Sequence, residues 1–395
     1  MSIELFLRIG LLSVEIALAV PMLYLLALSV AALSHQPHKP ASASKLSTRF
    51  ALLVPAHNEE AVLETLFASL HALDYPPALM DIHVVADNCT DATATLARES
   101  NASVYERQDA REQGKGYALR WLLSQLEAAG REYDAYVVID ADSQVSSNFL
   151  QVMNAQLQAG RSIIQSQYRV QNSEEAWTAG LRAVAFALFN HLRPLGRSAL
   201  GWSCGLKGTG MCFSRAVVKQ FSWTSFSLTE DIEHHVALLQ AGLRIAYAPA
   251  AIVWSAMPTS LKQAQSQQMR WERGRLALVR RHVPHLMWQA LTARNAAFFD
   301  AAMEILVPPL SVLAGLIIGC CIAAVLGGAP LEMGLGLGLL IGLSAYVLIG
   351  LRLARLSRAA YYSLLFAPAY IVWKLWIYFV ALVSAGDRRW VRTSR

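Results

Sequence analysis

Phe50-Ala-Leu-Leu-Val54 runs directly into Pro55-Ala-His-Asn-Glu-Glu60, a short apolar stretch that breaks at once into a polar loop. Five apolar residues stopped by a proline read as a buried strand. Glu60 to Leu73 then has helical spacing, and Asp81-Ile-His-Val-Val-Ala86 is a second apolar run, so the order is β-α-β. The alternation continues with a helix over Asp91–Glu99, a strand over Ala102–Tyr105, a helix over Lys115–Ala129 and a strand over Ala135–Ile139. This order predicts an α/β domain with a mostly parallel sheet and covering helices.

In open α/β sheets, ligands bind beyond the carboxyl ends of the strands. Three polar loops fall there: Pro55–Glu60, Asp87-Asn-Cys-Thr-Asp91 and Asp140-Ala-Asp142. Neither a G-x-G-x-x-G nor a P-loop follows the first strand, which weighs against a dinucleotide or ATP site. The pattern is less regular over residues 160–226. Trp177–Leu192 reads as a helix, and the glycine-rich stretch Gly201–Phe213 as a loop feeding a short strand. Ser227–His235 opens an amphipathic helix that Gly242 ends, and Arg244–Ala248 is a further strand.

The composition adds a membrane. Of 395 residues 55% are hydrophobic and only 16% charged, against roughly 25% charged in soluble domains. Residues 3–33 exceed the roughly 20 apolar residues that span a bilayer, and the run is longer than the h-region of a cleaved signal peptide. Residues 301–326 and 331–351 predict a helical hairpin across a Gly-Gly-Ala-Pro turn. Arg352, Arg355 and Arg358 mark a cytoplasmic end. Tyr361–Val383 is a third apolar segment. A full third span would put the four tail arginines outside, so an interfacial placement is expected, to which the aromatic residues and Lys374 are suited. The expected organisation is a transmembrane helix over 1–34, a linker over 35–49, a catalytic domain over 50–275, interfacial helices over 276–300, membrane helices over 301–384 and a basic tail over 385–395. The net charge of +6, concentrated beside apolar segments, suits anionic lipid and not nucleic acid. Five cysteines without a C-x-x-C pair suggest neither a disulfide framework nor a zinc site.

Asp140-x-Asp142 after a buried strand offers two hard oxygen donors suited to Mg2+ or Mn2+, with water and substrate phosphates completing the shell. Thr229-Glu230-Asp231 suits a helix start, with Thr229 as the N-cap and the acids favoured by the macrodipole. Capping alone accounts for such a triplet, yet Asp231 there could also take a proton from a hydroxyl nucleophile. His234 and His235 are given no role. Gln267, Arg270 and Trp271 fall at i, i+3 and i+4, one helix face, and provide a platform for a phosphate and a sugar ring.

Together Val54-Pro-Ala-His-Asn-Glu-Glu60, Asp87, Gly114-Lys-Gly116, Asp140-x-Asp142, Thr229-Glu-Asp231 and Gln267-x-x-Arg270-Trp271 resemble the membrane-integrated family-2 glycosyltransferases, the group with the cellulose, chitin-oligosaccharide, hyaluronan and poly-N-acetylglucosamine synthases. The resemblance runs from about Leu52 to Trp271. It implies a GT-A fold between an N-terminal membrane helix and a C-terminal group of them. It also implies that Pro55, His57, Glu59, Asp87 and Lys115 hold the nucleotide-sugar donor, and that Asp140 and Asp142 hold its diphosphate and a metal ion. By the same resemblance Asp231 is the catalytic base, Gln267, Arg270 and Trp271 bind pyrophosphate and acceptor sugar, and Gly208, Thr209, Gly210 and Glu230 face the acceptor. The terminal Trp390-Val-Arg-Thr393-Ser-Arg395 is similar to the gating loop of cellulose synthases, which favours a tail on the cytoplasmic side.

The activity so implied is inverting transfer from a nucleotide donor, UDP by expectation, to a growing β-linked polysaccharide at a bacterial-type cell membrane, with the catalytic domain cytoplasmic. Transfer of one or a few sugars to a lipid or oligosaccharide is the alternative, and a non-catalytic subunit a third reading that the intact acidic residues oppose. Membrane lipid is the expected surroundings, an oligomer or accessory subunit stays open, and the donor sugar is not readable.

Overall fold

The computed structural model describes residues 3–34, 45–221, 223, 225–227 and 229–383. The expected gating residues Trp390, Thr393 and Arg395 lie outside them. The chain begins with α1 (Ile3–Leu33), β1 (Phe50–Ala56), α2 (Leu63–His71), β2 (Met80–Asp87), α3 (Thr93–Glu99), β3 (Ser103–Arg107), α4 (Lys115–Ala128) and β4 (Ala135–Val138). It continues with β5 (Ser143–Val145), α5 (Phe149–Gln158), β6 (Ile163–Val170), α6 (Trp177–Ala187), α7 (Arg193–Ala199), β7 (Met211–Ser214), α8 (Arg215–Gln220), α9 (Glu230–Gln240) and β8 (Ala246–Ser255). Then come α10 (Leu261–Thr292), α11 (Ala296–Leu306), α12 (Leu310–Leu326), α13 (Pro330–Leu353), α14 (Arg358–Ser363) and α15 (Ala367–Val383). These elements form two compact units, one over residues 36–171 and 201–256, the other over 1–35, 172–200 and 257–395.

Residues 172–200 and 257–275 of the stretch expected as one domain fall in the other unit, while the first unit carries the expected α/β fold. Its eight strands form one sheet in the order β3-β2-β1-β4-β7-β6-β8-β5. β1 pairs in parallel with β2 and β4, β2 with β3, and β6 with β8, while β7 runs antiparallel to both β4 and β6, and β5 to β8. Phe50, Leu52 and Val54 alternate into a core with Leu63, Leu66 and Phe149, all fully buried. Pro55 stays inside β1, contrary to the expectation that it ends the strand. The β1–β4 register stops at Leu53 opposite Val138, whereas β2 remains paired to Ala56. The missing N–H of Pro55 therefore falls where the ladder to β4 has already ended, which is how a central strand tolerates it.

β6 has no apolar alternation that a sequence reading could detect. After Ile163 and Ile164 it buries Gln165, Ser166 and Gln167, at most 3% exposed. Gln165 shows how such burial is tolerated: its amide nitrogen donates to the Thr209 carbonyl at 2.8 Å and its amide oxygen accepts from the Lys207 N–H at 2.9 Å. A buried polar group is stable once hydrogen-bonded.

The second unit holds the apolar helices. Glu4–Leu33, Pro330–Leu353 and Arg358–Val383 are each long and apolar enough to cross a membrane. The expected single span over 301–326 is instead two helices, α11 and α12, bent by 76°. Pro308 and Pro309 explain the break, since neither can donate to the preceding turn, and Val307 is forced out of helical geometry at ψ 116°. The helix expected over Trp177–Leu192 gives way at Leu188–Leu192 to a π-helical turn before α7; Pro194 leaves the Asn190 carbonyl without its helical donor, and the turn widens there. Lys374, expected to suit an interfacial helix, is only 2% exposed and buried against α10.

Candidate active site

Lys115 stands at the first position of α4, after Gly114 at φ +118°. Its ammonium donates to the Asp140 carboxylate and, at 2.7 Å, to the Gly208 carbonyl. Asp140 sits immediately beyond β4, and its N–H donates to the Thr209 hydroxyl at 3.1 Å. Gly208 adopts φ +84°, and a side chain there would lie 3.7 Å from Asp231 Oδ2 and 4.0 Å from Lys115 Nζ. Four of the expected residues, Lys115, Asp140, Gly208 and Asp231, therefore meet at one place, with Glu230 beside them. Gly210, at φ +66°, has no room for a side chain: a Cβ would fall 1.9 Å from Ser166 Oγ.

Ser225 and Phe226, a few residues before α9, form a segment that packs against α4. Gly116 lets that segment come close, since a Cβ there would lie 2.2 Å from the Ser225 carbonyl oxygen. Phe226 stacks on Tyr117 with ring centroids 4.2 Å apart, and Arg120 covers Phe226 at 4.6 Å. Thr229 occupies the N-cap position but makes no side-chain cap bond. Its hydroxyl lies instead 3.4 Å from that of Ser227, so the expected cap is absent. His234 is buried and stacked on Trp223 at 4.5 Å, and His235 lies 3.2 Å from the Ser203 hydroxyl. Both anchor the helix to the core.

Burial pushes the Glu230 carboxyl up to about 7, the Lys115 ammonium opposing and the Asp231 charge adding to the shift. Burial also raises Asp231, against the pull of Lys115 and Lys207. For Lys115, burial works against the charge, but Asp140, Glu230 and Asp231 prevail and its ammonium is held above the usual range. The site is a compact group of carboxylates facing Lys115, with Lys207 also acting on Asp231, in which a carboxylate of raised basicity can accept a proton. Lys207, 8% exposed, went unremarked in the sequence; its place between Gly205 and Gly208 was the available signal.

The loops after β1 and β2 meet as the topology predicts. His57 donates through Nδ1–H to the Asp87 carbonyl at 2.7 Å, the Glu59 N–H donates to Thr93 Oγ1 at 2.8 Å, and the Thr90 N–H to Asn58 Oδ1 at 2.7 Å. Asp87 itself is buried in an ion pair with Arg107 at 2.7 Å. Arg107 closes β3 and also donates to the Glu112 carbonyl. Nothing in the sequence pointed to it, because it reads as the polar end of a strand.

Asp140 and Asp142, two residues apart at the β4 exit, present hard carboxylate oxygens. Among the described residues no group of three or more His, Cys, Asp or Glu could hold a metal ion. The Asp140 carboxylate is engaged by the Lys115 ammonium, so a cation held by Asp140 and Asp142 needs substrate phosphates and water for the rest of its shell.

Gln267, Arg270 and Trp271 lie in the other unit, on α10, one helical face as expected. The Arg182 guanidinium covers the Trp271 ring at 5.3 Å, Phe186 approaches the same ring at 6.5 Å, and the Gln267 amide oxygen is buried without a hydrogen-bond partner.

A sheet with a polar rim at its strand ends, joined to membrane-spanning helices on both sides in the chain, is the GT-A type of architecture. Residues 48–274, more than half of the chain, match the model of the glycosyltransferase-like family 2, and the chain belongs to that family. It is 26% identical over 235 residues to a probable glycosyltransferase YdaM of Bacillus subtilis, covering 57% of this chain and 55% of that one. It is 29% identical over 191 residues to a beta-monoglucosyldiacylglycerol synthase of a Nostoc species, covering 46% and 39%. Against a poly-beta-1,6-N-acetyl-D-glucosamine synthase of Staphylococcus aureus the values are 25% over 229 residues, 56% and 53%. The chain thus spans about half the length of these curated relatives, or less. In fold it is similar to the mannosyltransferase PcManGT of Pyrobaculum calidifontis, solved with GDP-Man and Mn2+, at a TM-score of 0.57 and 16% identity over 95% of this chain and 99% of that one.

Proposed function

We propose that the protein is an inverting membrane glycosyltransferase that moves a sugar from a UDP-linked donor to the hydroxyl of a membrane-associated acceptor. The meeting of Lys115, Asp140, Gly208 and Asp231 carries this reading. Asp231 removes the proton of the acceptor hydroxyl, and the oxygen attacks the anomeric carbon from the face opposite the nucleotide. The C–O bond to the diphosphate breaks with inversion and without a covalent intermediate. Pro55, His57, Glu59 and Asp87 shape the nucleoside end of the donor site and Lys115 neutralises the departing diphosphate; for Gln267, Arg270 and Trp271 the family motif supports roles toward pyrophosphate and acceptor sugar. Gly208, Thr209, Gly210 and Glu230 border the acceptor. Asp140 and Asp142 would hold Mg2+ or Mn2+, which supplies further positive charge to the leaving diphosphate.

A lipid or short oligosaccharide is the acceptor this reading favours. It is supported by the likeness to a beta-monoglucosyldiacylglycerol synthase and by the three apolar helices of membrane-spanning length among the described residues, which keep the catalytic chemistry beside lipid. Extension of a β-linked polysaccharide is the second reading, supported by the likeness to a poly-N-acetylglucosamine synthase. The arginines at 352, 355 and 358, closing and following α13, support a cytoplasmic catalytic unit. Membranes containing the protein, incubated with labelled UDP-glucose or UDP-N-acetylglucosamine, separate the two readings. Organic-extractable label is expected; a high-mass aqueous product would replace the lipid reading with the polymer one. Absence of UDP release that depends on the protein would remove the enzyme reading itself.

A further inference from the structure

α10 carries a second polar face beside its motif. Gln268 and Glu272 follow Gln267 and Trp271 by one residue each, so they lie about 100° around the helix from the motif. Both are buried, 3% and 5% exposed. What they face is a lysine from an apolar helix: Lys374 of α15 donates to the Gln268 amide oxygen and, at 2.7 Å, to Glu272 Oε1. One turn earlier on α15, Tyr370 is in hydrogen-bonding contact with Arg182, the same arginine whose guanidinium covers the Trp271 ring at 5.3 Å. Arg182 is 5% exposed and keeps one guanidinium nitrogen, Nη2, without a partner. α15 therefore reaches the motif helix by two routes, through Lys374 to the residues flanking the motif and through Tyr370 and Arg182 to the indole itself.

A buried ion pair is a poor way to gain stability, because well-packed apolar residues serve as well or better. Its attested use is to fix one register among alternatives. A hydrophobic contact between two helices tolerates rotation about the helix axis, whereas a lysine bonded to two residues one turn apart does not. A charged side chain inside an apolar segment is itself the mark of a functional group. We propose that Lys374 and Arg182 are positioning residues for transfer. The Lys374 bonds fix the rotation of α10, and Arg182, braced by Tyr370, fixes the plane of the Trp271 indole against which the acceptor sugar stacks. This rests on the reading of Trp271 as an acceptor platform.

The test pairs Lys374→Met with Glu272→Met, which removes the bond without leaving a buried charge alone. A total bacterial lipid extract in mixed micelles is titrated as acceptor against the UDP-sugar that wild-type membranes use, and UDP release without sugar transfer is counted separately. The expected result is an apparent acceptor KM raised about tenfold and a larger hydrolysed fraction, with donor KM unchanged. Arg182→Met should shift the same quantities, and Arg182→Lys should restore part of the loss. Wild-type acceptor KM and hydrolysed fraction in both the Met pair and Arg182→Met would overturn the proposal. If the Met pair fails to accumulate in membranes, the exchanged pair Glu272→Lys with Lys374→Glu is compared with Lys374→Glu alone. Recovery in the exchanged pair supports the proposal, and equal loss in both overturns it. Trp271→Ala separates the two levels: an unchanged acceptor KM there would show that the platform reading has failed, whereas a raised KM beside normal positioning variants would reject the positioning role alone.

Discussion

The ammonium of Lys115 and the carbonyl oxygen of Gly208 are 2.7 Å apart, although 93 residues separate them in the chain. The contact draws the glycine-rich loop onto the first turn of α4, and the same ammonium bonds Asp140. Lys115→Met should therefore leave the sheet intact, yet release the loop from the β4 exit and withdraw the cation nearest the carboxylates. Turnover with the UDP-sugar is expected to fall about 10²-fold, the usual effect of losing one preorganised electrostatic contact. Lys115→Arg should recover only a part of it. Steady-state rates of UDP release together with circular dichroism check both halves.

Asp231→Asn keeps the shape of the side chain and removes its basicity. Transfer should drop below about 1% of wild type, since general-base assistance is commonly worth 10²- to 10⁴-fold. Donor affinity, measured by equilibrium binding of labelled UDP, should stay within about twofold. Near-normal turnover in this variant would take the base role away from Asp231.

The raised carboxyls set a pH dependence with a definite sign. Asp231 must be ionised to accept a proton, so kcat/KM should fall as pH drops through the raised range of the Glu230–Asp231 pair, with Glu230 at about 7, and reach a plateau above it. Because the two titrate together, the limb belongs to the pair. Glu230→Gln removes the neighbouring negative charge and should move the limb to lower pH, whatever it does to the plateau. Stability runs the opposite way. Between the ordinary carboxylate range and about 7 the folded chain holds a proton that the unfolded chain has lost, so folding free energy weakens as pH rises. A pH–rate profile and melting curves over the same interval test the two directions.

Gly116→Ala would place a methyl group 2.2 Å from the Ser225 carbonyl oxygen. The oxygen is backbone, so the segment leading to Asp231 must move. A displacement of about 1 Å far from the bond-making atoms can cost about 10²-fold in rate. The expected outcome is a loss in kcat with donor binding retained, measured in a single-turnover assay.

Arg107→Met should act on stability first. Arg107 and Asp87 are each buried, with side chains 5% and 7% exposed, and removing one member of such a pair leaves a charge without its partner, at about 3–5 kcal/mol. A lowered melting temperature in detergent is expected, partly restored when Asp87→Asn is added. A melting temperature equal to wild type would mean that the pair contributes no net stability.

The strands β1, β2 and β4 are legible because each is a short apolar run with a turn or proline beside it, whereas β3, Ser103-Val-Tyr-Glu-Arg107, follows from the β-α alternation around it. Asp231, Asp140 and the α10 motif stand out in the sequence only through the resemblance to the family-2 glycosyltransferases, because an Asp-x-Asp pair or an acidic helix start is by itself ordinary turn and capping chemistry. β6 is not legible, because Gln165, Ser166 and Gln167 are buried polar residues whose partners come from a distant loop. The same is true of Arg107 and Lys207, whose meaning depends on which loop folds against them. Lys374 is legible as a lone charge in an apolar segment, but only the packing of α15 shows that Glu272 is its destination. Pro308-Pro309 was visible in the sequence, and the apolar content of residues 301–326 outweighed it in the reading, although two residues without N–H groups must interrupt a helix.

Pro55 has one further consequence. Because its nitrogen carries no hydrogen, the parting of β1 from β4 beyond Leu53 and Val138 is set by a covalent ring and not by any occupant of the rim. Beyond the bond from the Ile139 N–H to the Leu53 carbonyl at 3.0 Å, β1 has no donor to offer β4 at position 55. One rung of the β1–β4 ladder is therefore missing by covalent structure, whatever the rim holds.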